Sequence, residues 1–122
     1  MNFIPYAKQS ISESDIKAVE EVLKSDFLTQ GPVVEIFENK VSKKVASKYA
    51  VAVNSATSAL HISCKALGLK NEEWLWTSPN SFVASANCAM YCGANIDFID
   101  IDKRSYNISI NKLKDKLIHA KK

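Results

Sequence analysis

Ile16, Val19, Val22 and Leu23 recur at helical spacing behind Ser12-Glu13-Ser14-Asp15. The pattern predicts a first helix that stops near Lys24-Ser25, opened by a capping box of Ser12 and Asp15. A second apolar stripe, Val34, Phe37, Val41 and Val45, predicts a helix from about Val33 to Lys48. Ala50-Val51-Ala52-Val53 is an unbroken apolar run and reads as a short buried strand. Leu60 to Leu67 reads as a helix closed by Gly68. Glu73 to Thr77 is a second strand, and Phe82 to Tyr91 a helix of small residues ended by Gly93. Ile96 to Ile101 is a third strand. Tyr106-Asn107-Ile108 adds a short extended piece, and Ile110 to Ala120 a last amphipathic helix.

Strands that alternate with helices imply a parallel α/β sheet, with helices on its faces. Ligands of such sheets sit beyond the carboxyl ends of the strands. The turn at Ser55 and the loop from Pro79 to Phe82 both follow predicted strands, so both are expected at that edge. Three strands leave exposed sheet edges, and the chain stops at Lys121-Lys122 without a closing element. A piece of something longer is expected.

Asn54-Ser55-Ala56-Thr57-Ser58-Ala59-Leu60 joins the first predicted strand to a helix through small hydroxyl residues. The first N–H groups of a helix have no intrahelical partner, and the macrodipole adds positive character there. Such a turn suits a phosphate, with Ser55 and Thr57 as further hydroxyl donors. A serine before a helix is most often simply an N-cap, and the segment alone leaves both readings open.

Composition narrows the alternatives. The apolar fraction of 47% is that of a globular domain. No run of about eighteen apolar residues is present to span a membrane. Met1-Asn2-Phe3-Ile4-Pro5 lacks the basic start and apolar stretch of a signal peptide, so a cytoplasmic chain is expected. Cys88 and Cys92, four apart on a predicted helix, lack further ligands in metal spacing. With Cys64 they read as buried free thiols. The net charge of +3 comes largely from Lys112, Lys114, Lys116, Lys121 and Lys122. These alternate with Leu113, Leu117 and Ile118 and have no interleaved aromatics. A solvated helix face is expected rather than a nucleic-acid surface. Of sixteen basic residues only Arg104 is an arginine, so little here would grip a substrate carboxylate bidentately.

Ser25-Asp26-Phe27-Leu28-Thr29-Gln30-Gly31-Pro32 is a loop with two apolar residues at its centre. Phe27 and Leu28 either tether it to a core or serve binding, as loop residues often do. His61, on a helix face, reads as structural. Asp100 and Asp102 read as caps at a strand end.

Together these stretches resemble the DegT/DnrJ/EryC1/StrS family of sugar aminotransferases. The residues that carry the resemblance are Ser25 to Pro32, Phe37-Glu38, Tyr49 to Val53, Asn54 to Leu60, Ser78 to Asn87, and Gly93-Ala94 with Phe98 to Asp102. The ordered set is specific where each piece alone is weak. It covers nearly the whole chain, but only the N-terminal part of the family's length.

The resemblance implies the N-terminal portion of the large domain of an aspartate-aminotransferase-like, fold type I transferase, a three-layer α/β/α architecture. It implies pyridoxal 5′-phosphate as cofactor. Residues 1–32 would form an arm, helix and substrate loop, and residues 33–122 part of the cofactor domain. Ala56 and Thr57 would hold the cofactor phosphate with Ser55 shaping the turn, and Phe82 would stack on the pyridine ring. Tyr6, Asp26, Phe27, Leu28 and Thr29 would line the nucleotide-sugar site. Apart from the family, Phe82 reads as the first core residue of its helix and Tyr6 as a cap on the sheet edge. The implied substrates are a UDP-linked 4-keto-6-deoxy amino sugar and glutamate, which leaves as 2-oxoglutarate, in a homodimer. The Schiff-base lysine and the carboxylate facing the ring nitrogen belong to family segments beyond Lys122. The chain by itself is therefore expected to be inactive, with no catalytic residue of its own.

Overall fold

The computed structural model describes residues 3–120. The start at Met1-Asn2 and the closing Lys121-Lys122 lie outside them. The chain divides into two compact units, one ending at Ala52 and one beginning at Val53.

The first unit holds α1 (Glu13–Leu23) and α2 (Pro32–Lys44). The capping box forms as expected. The Ser12 hydroxyl accepts the Asp15 N–H, and the Asp15 carboxylate accepts the Ser12 N–H at 2.7 Å. Gly31 caps α2, with Pro32 at its first position, where a missing N–H costs nothing. α2 ends at Lys44, short of the expected Lys48. Ala46 enters the left-handed region at φ 53°, and the Ser47 N–H reaches back to the Ser42 carbonyl at 2.9 Å. That bond pattern closes a helix even without glycine. Neither helix has a fully buried residue. The stripe of α1 stays open at Ile16, Val19 and Leu23, and that of α2 at Val34 and Phe37.

The second unit contains α3 (Ala56–Ala66), β1 (Trp74–Thr77), α4 (Ala84–Met90), β2 (Asn95–Phe98) and α5 (Ile110–His119). β1 and β2 pair in parallel, from Trp74 opposite Asn95 to Thr77 opposite Phe98, with α4 as the crossover. α4 packs on both strands and on α3. The core is made of small side chains, Ala84, Ala86, Cys88, Ala89, Ala94 and Cys64, with Ile99. Small residues let helix and sheet backbones approach closely. Gly68 and Gly93 end their helices at φ 82° and 74°, conformations that cost glycine little.

Several sequence expectations need correction. Ala50 to Val53 pairs with no strand among the described residues, and Val51 is exposed. A strand exists only with a ladder partner, and the apolar run records a tendency to be buried, not the partner. Among the described residues the expected three-stranded sheet is therefore two strands. The third predicted strand stops at Phe98, because β1 offers its last carbonyl, that of Thr77, to Ile99. Ile101 instead makes an isolated antiparallel bridge with Ile108. α3 begins at Ala56, one turn before the expected Leu60, because Ser55 already caps it. α4 begins at Ala84 rather than Phe82.

The lysine face of α5 is not simply solvated. Lys112 pairs with Asp100, and Lys116 with Asp97. Lys116 also donates to the Phe98 carbonyl at 3.1 Å and lies over the Trp76 ring. These contacts fasten α5 to β2.

Candidate functional site

The Asn54–Ser58 turn is ordered by its own side chains. Ser55, extended at φ −160°, accepts the Ser58 N–H on its hydroxyl oxygen at 3.1 Å. The Ser58 hydroxyl donates to the Asn54 side-chain carbonyl at 2.7 Å. The Ser55 hydroxyl lies 3.0 Å from Ser58 Oγ and 3.4 Å from Asn54 Oδ1. Ser55 is thus an N-cap, and its proton is directed within the turn rather than outward as a free donor. The backbone N–H groups of Ala56 and Thr57 have no acceptor among the described residues, and neither does the Thr57 hydroxyl. No acidic side chain occupies the first turn of α3. Two free N–H groups, a free hydroxyl and a helix N-terminus without a carboxylate match what a phosphate needs. The donor set therefore fits the phosphate of a pyridoxal cofactor.

Phe82 sits in the loop between β1 and α4 and is 75% exposed. It is not a core residue of α4. It lines a cavity of about 260 Å³ with Thr77, Ser78, Ser81, Ser85 and Phe98. Thr77 and Phe98 are the last residues of the two parallel strands, so this cavity lies where parallel sheets bind ligands. Phe98 is a lining residue that sequence reasoning passed over. No local signal marked it, since the predicted strand ran on to Ile101 and only the observed register places Phe98 at the strand end. Residues 54–57 do not line this cavity, and no strand precedes them among the described residues. The inference that they share its sheet edge because both follow strands does not hold in that form.

A larger groove, about 480 Å³, is lined by Trp74, Trp76, Asp97, Lys116 and His119. Its cation is already engaged by Asp97, the Phe98 carbonyl and Trp76, so it offers no free charge for chemistry.

The remaining residues expected at a site belong to the first unit. Tyr6 is fully exposed on an irregular segment and caps nothing within that unit. Asp26 and Phe27 line a groove of about 420 Å³ with Val22, Pro32 and Val33. Leu28 is exposed, and Thr29 lies in the bend before Gln30, whose φ is 52°. Gly31 is required here, since a Cβ would stand 2.8 Å from Phe27 Cβ.

Titratable groups outside these places read as structural. The Cys64 thiol is pushed up to about 11 by burial first, and then by hydrogen bonding and proximity to Cys88. Thiols so held are poor nucleophiles. Cys64 and Cys88 are buried, as expected. Cys92 is half-buried and lies past the end of α4, so the Cys88–Cys92 spacing does not fall on one helix. His61 meets Tyr91 edge to face at 5.3 Å, its Nε2 buried without a partner among the described residues. Asp102 caps the next turn through the Ser105 and Arg104 N–H groups, which hold its carboxyl below the usual range. Among the described residues no helix is long and apolar enough to cross a membrane.

Comparison with known proteins is concordant. The sequence profile of the DegT/DnrJ/EryC1/StrS aminotransferase family matches residues 9–122. A UDP-4-amino-4,6-dideoxy-N-acetyl-beta-L-altrosamine transaminase of Campylobacter jejuni is 44% identical over 115 residues, covering 94% of this chain and 30% of that protein. The Bacillus subtilis spore coat polysaccharide biosynthesis protein SpsC is 40% identical over 112 residues, covering 92% of this chain and 29% of its own. Among solved structures, Escherichia coli GDP-4-keto-6-deoxy-D-mannose-3-dehydratase with bound hydrated PLP superposes with a TM-score of 0.85 at 30% identity, covering 91% and 30% of the two chains. The chain thus spans about a third of the length of its relatives.

Proposed function

Because the chain belongs to the DegT/DnrJ/EryC1/StrS aminotransferase family and shares its fold type I architecture, we propose that it forms the N-terminal part of a cytoplasmic, dimeric nucleotide-sugar aminotransferase. The cofactor is pyridoxal 5′-phosphate. The substrates are a UDP-linked 4-keto-6-deoxy amino sugar and glutamate, and the pathway is that of pseudaminic acid for surface glycans. The glutamate amine replaces the keto oxygen at C4 of the sugar, and glutamate leaves as 2-oxoglutarate. The observation that carries this reading is the free donor set of Ala56 and Thr57 within a stretch 44% identical to the Campylobacter transaminase.

In this account residues 1–32 form an arm, helix and substrate loop, and residues 33–122 part of the cofactor domain. The chain's own residues bind and orient. Ala56 and Thr57 donate to the cofactor phosphate, and Ser55 holds the turn that presents them. Phe82 packs on the pyridine ring at the sheet edge. Tyr6 and the loop from Asp26 to Thr29 meet the nucleotide sugar. When bound, the cofactor supplies an electron sink for proton movement at the amino-bearing carbon. The lysine that moves that proton lies on sequence beyond Lys122, and the 122 residues alone are inactive.

The test is the full-length protein with pyridoxal 5′-phosphate, glutamate and a UDP-4-keto-6-deoxy-N-acetylhexosamine. Stoichiometric 2-oxoglutarate and a 4-amino sugar are expected. Formation of 2-oxoglutarate only with another nucleotide sugar moves the substrate assignment. A 3-deoxy sugar product supports a second reading, 3-dehydration, which the likeness to the Escherichia coli dehydratase favours. Absence of both cofactor binding and turnover supports a binding or assembly module of the same fold.

A further inference from the structure

The two serine hydroxyl protons of the Asn54–Ser58 turn run inward to one acceptor. The Ser58 N–H goes to Ser55 Oγ, the Ser55 hydroxyl lies 3.0 Å from Ser58 Oγ, and the Ser58 hydroxyl ends on Asn54 Oδ1 at 2.7 Å. Each serine has a single proton to give. With Asn54 as the terminal acceptor, the lone pairs of Ser55 stay turned to the helix N–H, and the cap is held in one arrangement. What remains open is the set Ala56 N–H, Thr57 N–H and Thr57 hydroxyl. We infer that Asn54 is a positioning residue for the cofactor phosphate, acting through Ser58 to fix the turn whose free donors bind it. This rests on the phosphate reading given above and adds to it two residues that bind nothing themselves.

The physical reason is pre-organisation. A dianion gains most from donors already aimed at it, since no ordering cost then remains at the moment of binding. Without the Asn54 carbonyl, the Ser58 hydroxyl must find a new acceptor, and the oxygen of Ser55 or of the phosphate itself becomes one. The cap and the cradle then compete.

The test measures dissociation constants of pyridoxal 5′-phosphate and of pyridoxal, which lacks the phosphate, for the full-length protein and four variants. Asn54→Ala and Ser58→Ala are each expected to weaken pyridoxal 5′-phosphate about 3- to 10-fold and leave pyridoxal unchanged. The double variant is expected to be no weaker than the weaker single, since both act through one network. Equal loss for pyridoxal, or additive losses in the double variant, overturns the inference. Thr57→Val separates the two claims. If it weakens pyridoxal 5′-phosphate and Asn54→Ala does not, Asn54 has no positioning role while the cradle stands. If Thr57→Val has no effect either, the cradle assignment fails and this inference with it. Should Asn54→Ala not fold, Ser58→Ala alone must still produce the phosphate-specific loss.

Discussion

The Glu38 carboxylate on α2 accepts the backbone N–H of Ala52 at 2.8 Å, across fourteen residues of sequence. It pins the run that precedes the Asn54 turn, although that run has no strand partner. Glu38→Ala should lower stability by about 1 kcal/mol. Glu38→Gln should lose less, since an amide carbonyl still accepts. Urea unfolding of the two variants beside the parent checks the order.

Ser12 and Asp15 close both ends of a capping box on α1. Ser12→Ala should cost about 1 kcal/mol, read as a lower thermal midpoint with loss of helical circular dichroism.

Asp97 and Asp100 are held below the usual carboxylate range, Asp97 by the hydrogen bond from Lys116 and then the Phe98 N–H, and Asp100 by that from Lys112 and then the Ile101 N–H. A carboxylate with a lowered folded value stabilises above its unfolded value, near about 3.9. That contribution is lost as pH falls through the folded value. The attachment of α5 should therefore weaken on acidification below about pH 4. A Lys112→Met, Lys116→Met double variant should be less stable at neutral pH and show a shallower acid dependence. Unfolding midpoints from pH 7 to pH 2 measure both.

Gly93 sits at φ 74°, and a Cβ there would meet the Asn71 side-chain oxygen, the far end of a side chain that can turn away. Gly93→Ala should cost about 1–2 kcal/mol from handedness, plus whatever it takes to move the Asn71 side chain aside. Gly68 has a similar φ and open space around it, so Gly68→Ala should cost less. The difference between the two unfolding free energies reads the cost of displacing Asn71 beyond the handedness that both share.

Phe82 is exposed in a loop, so Phe82→Ala should change stability by less than about 0.5 kcal/mol. In the full-length protein it should weaken cofactor binding about 3- to 10-fold through lost stacking. An unchanged cofactor affinity would remove Phe82 from the site.

What the sequence made legible follows from local physics. Helix caps at Ser12 and Ser55, and helix ends at Gly68 and Gly93, depend on neighbours a few residues away, and they stand where the pattern placed them. Partnership does not depend on neighbours. Nothing local says that Val51 and Val53 lack a ladder, that Ile101 turns to Ile108, or that Lys116 lies over Trp76. The free donors of the Asn54 turn were legible because they are backbone groups of one helix end. Phe98 was not, because only the β1–β2 register brings it beside the Phe82 loop.

The most direct test of the central claim is a crystal structure of the full-length protein grown with pyridoxal 5′-phosphate. The account predicts phosphate oxygens within about 2.7–3.2 Å of the Ala56 and Thr57 nitrogens, the Phe82 ring against the pyridine face, and the covalent lysine outside residues 1–122. A phosphate bound elsewhere, with the Ala56 and Thr57 N–H groups facing solvent, would contradict it.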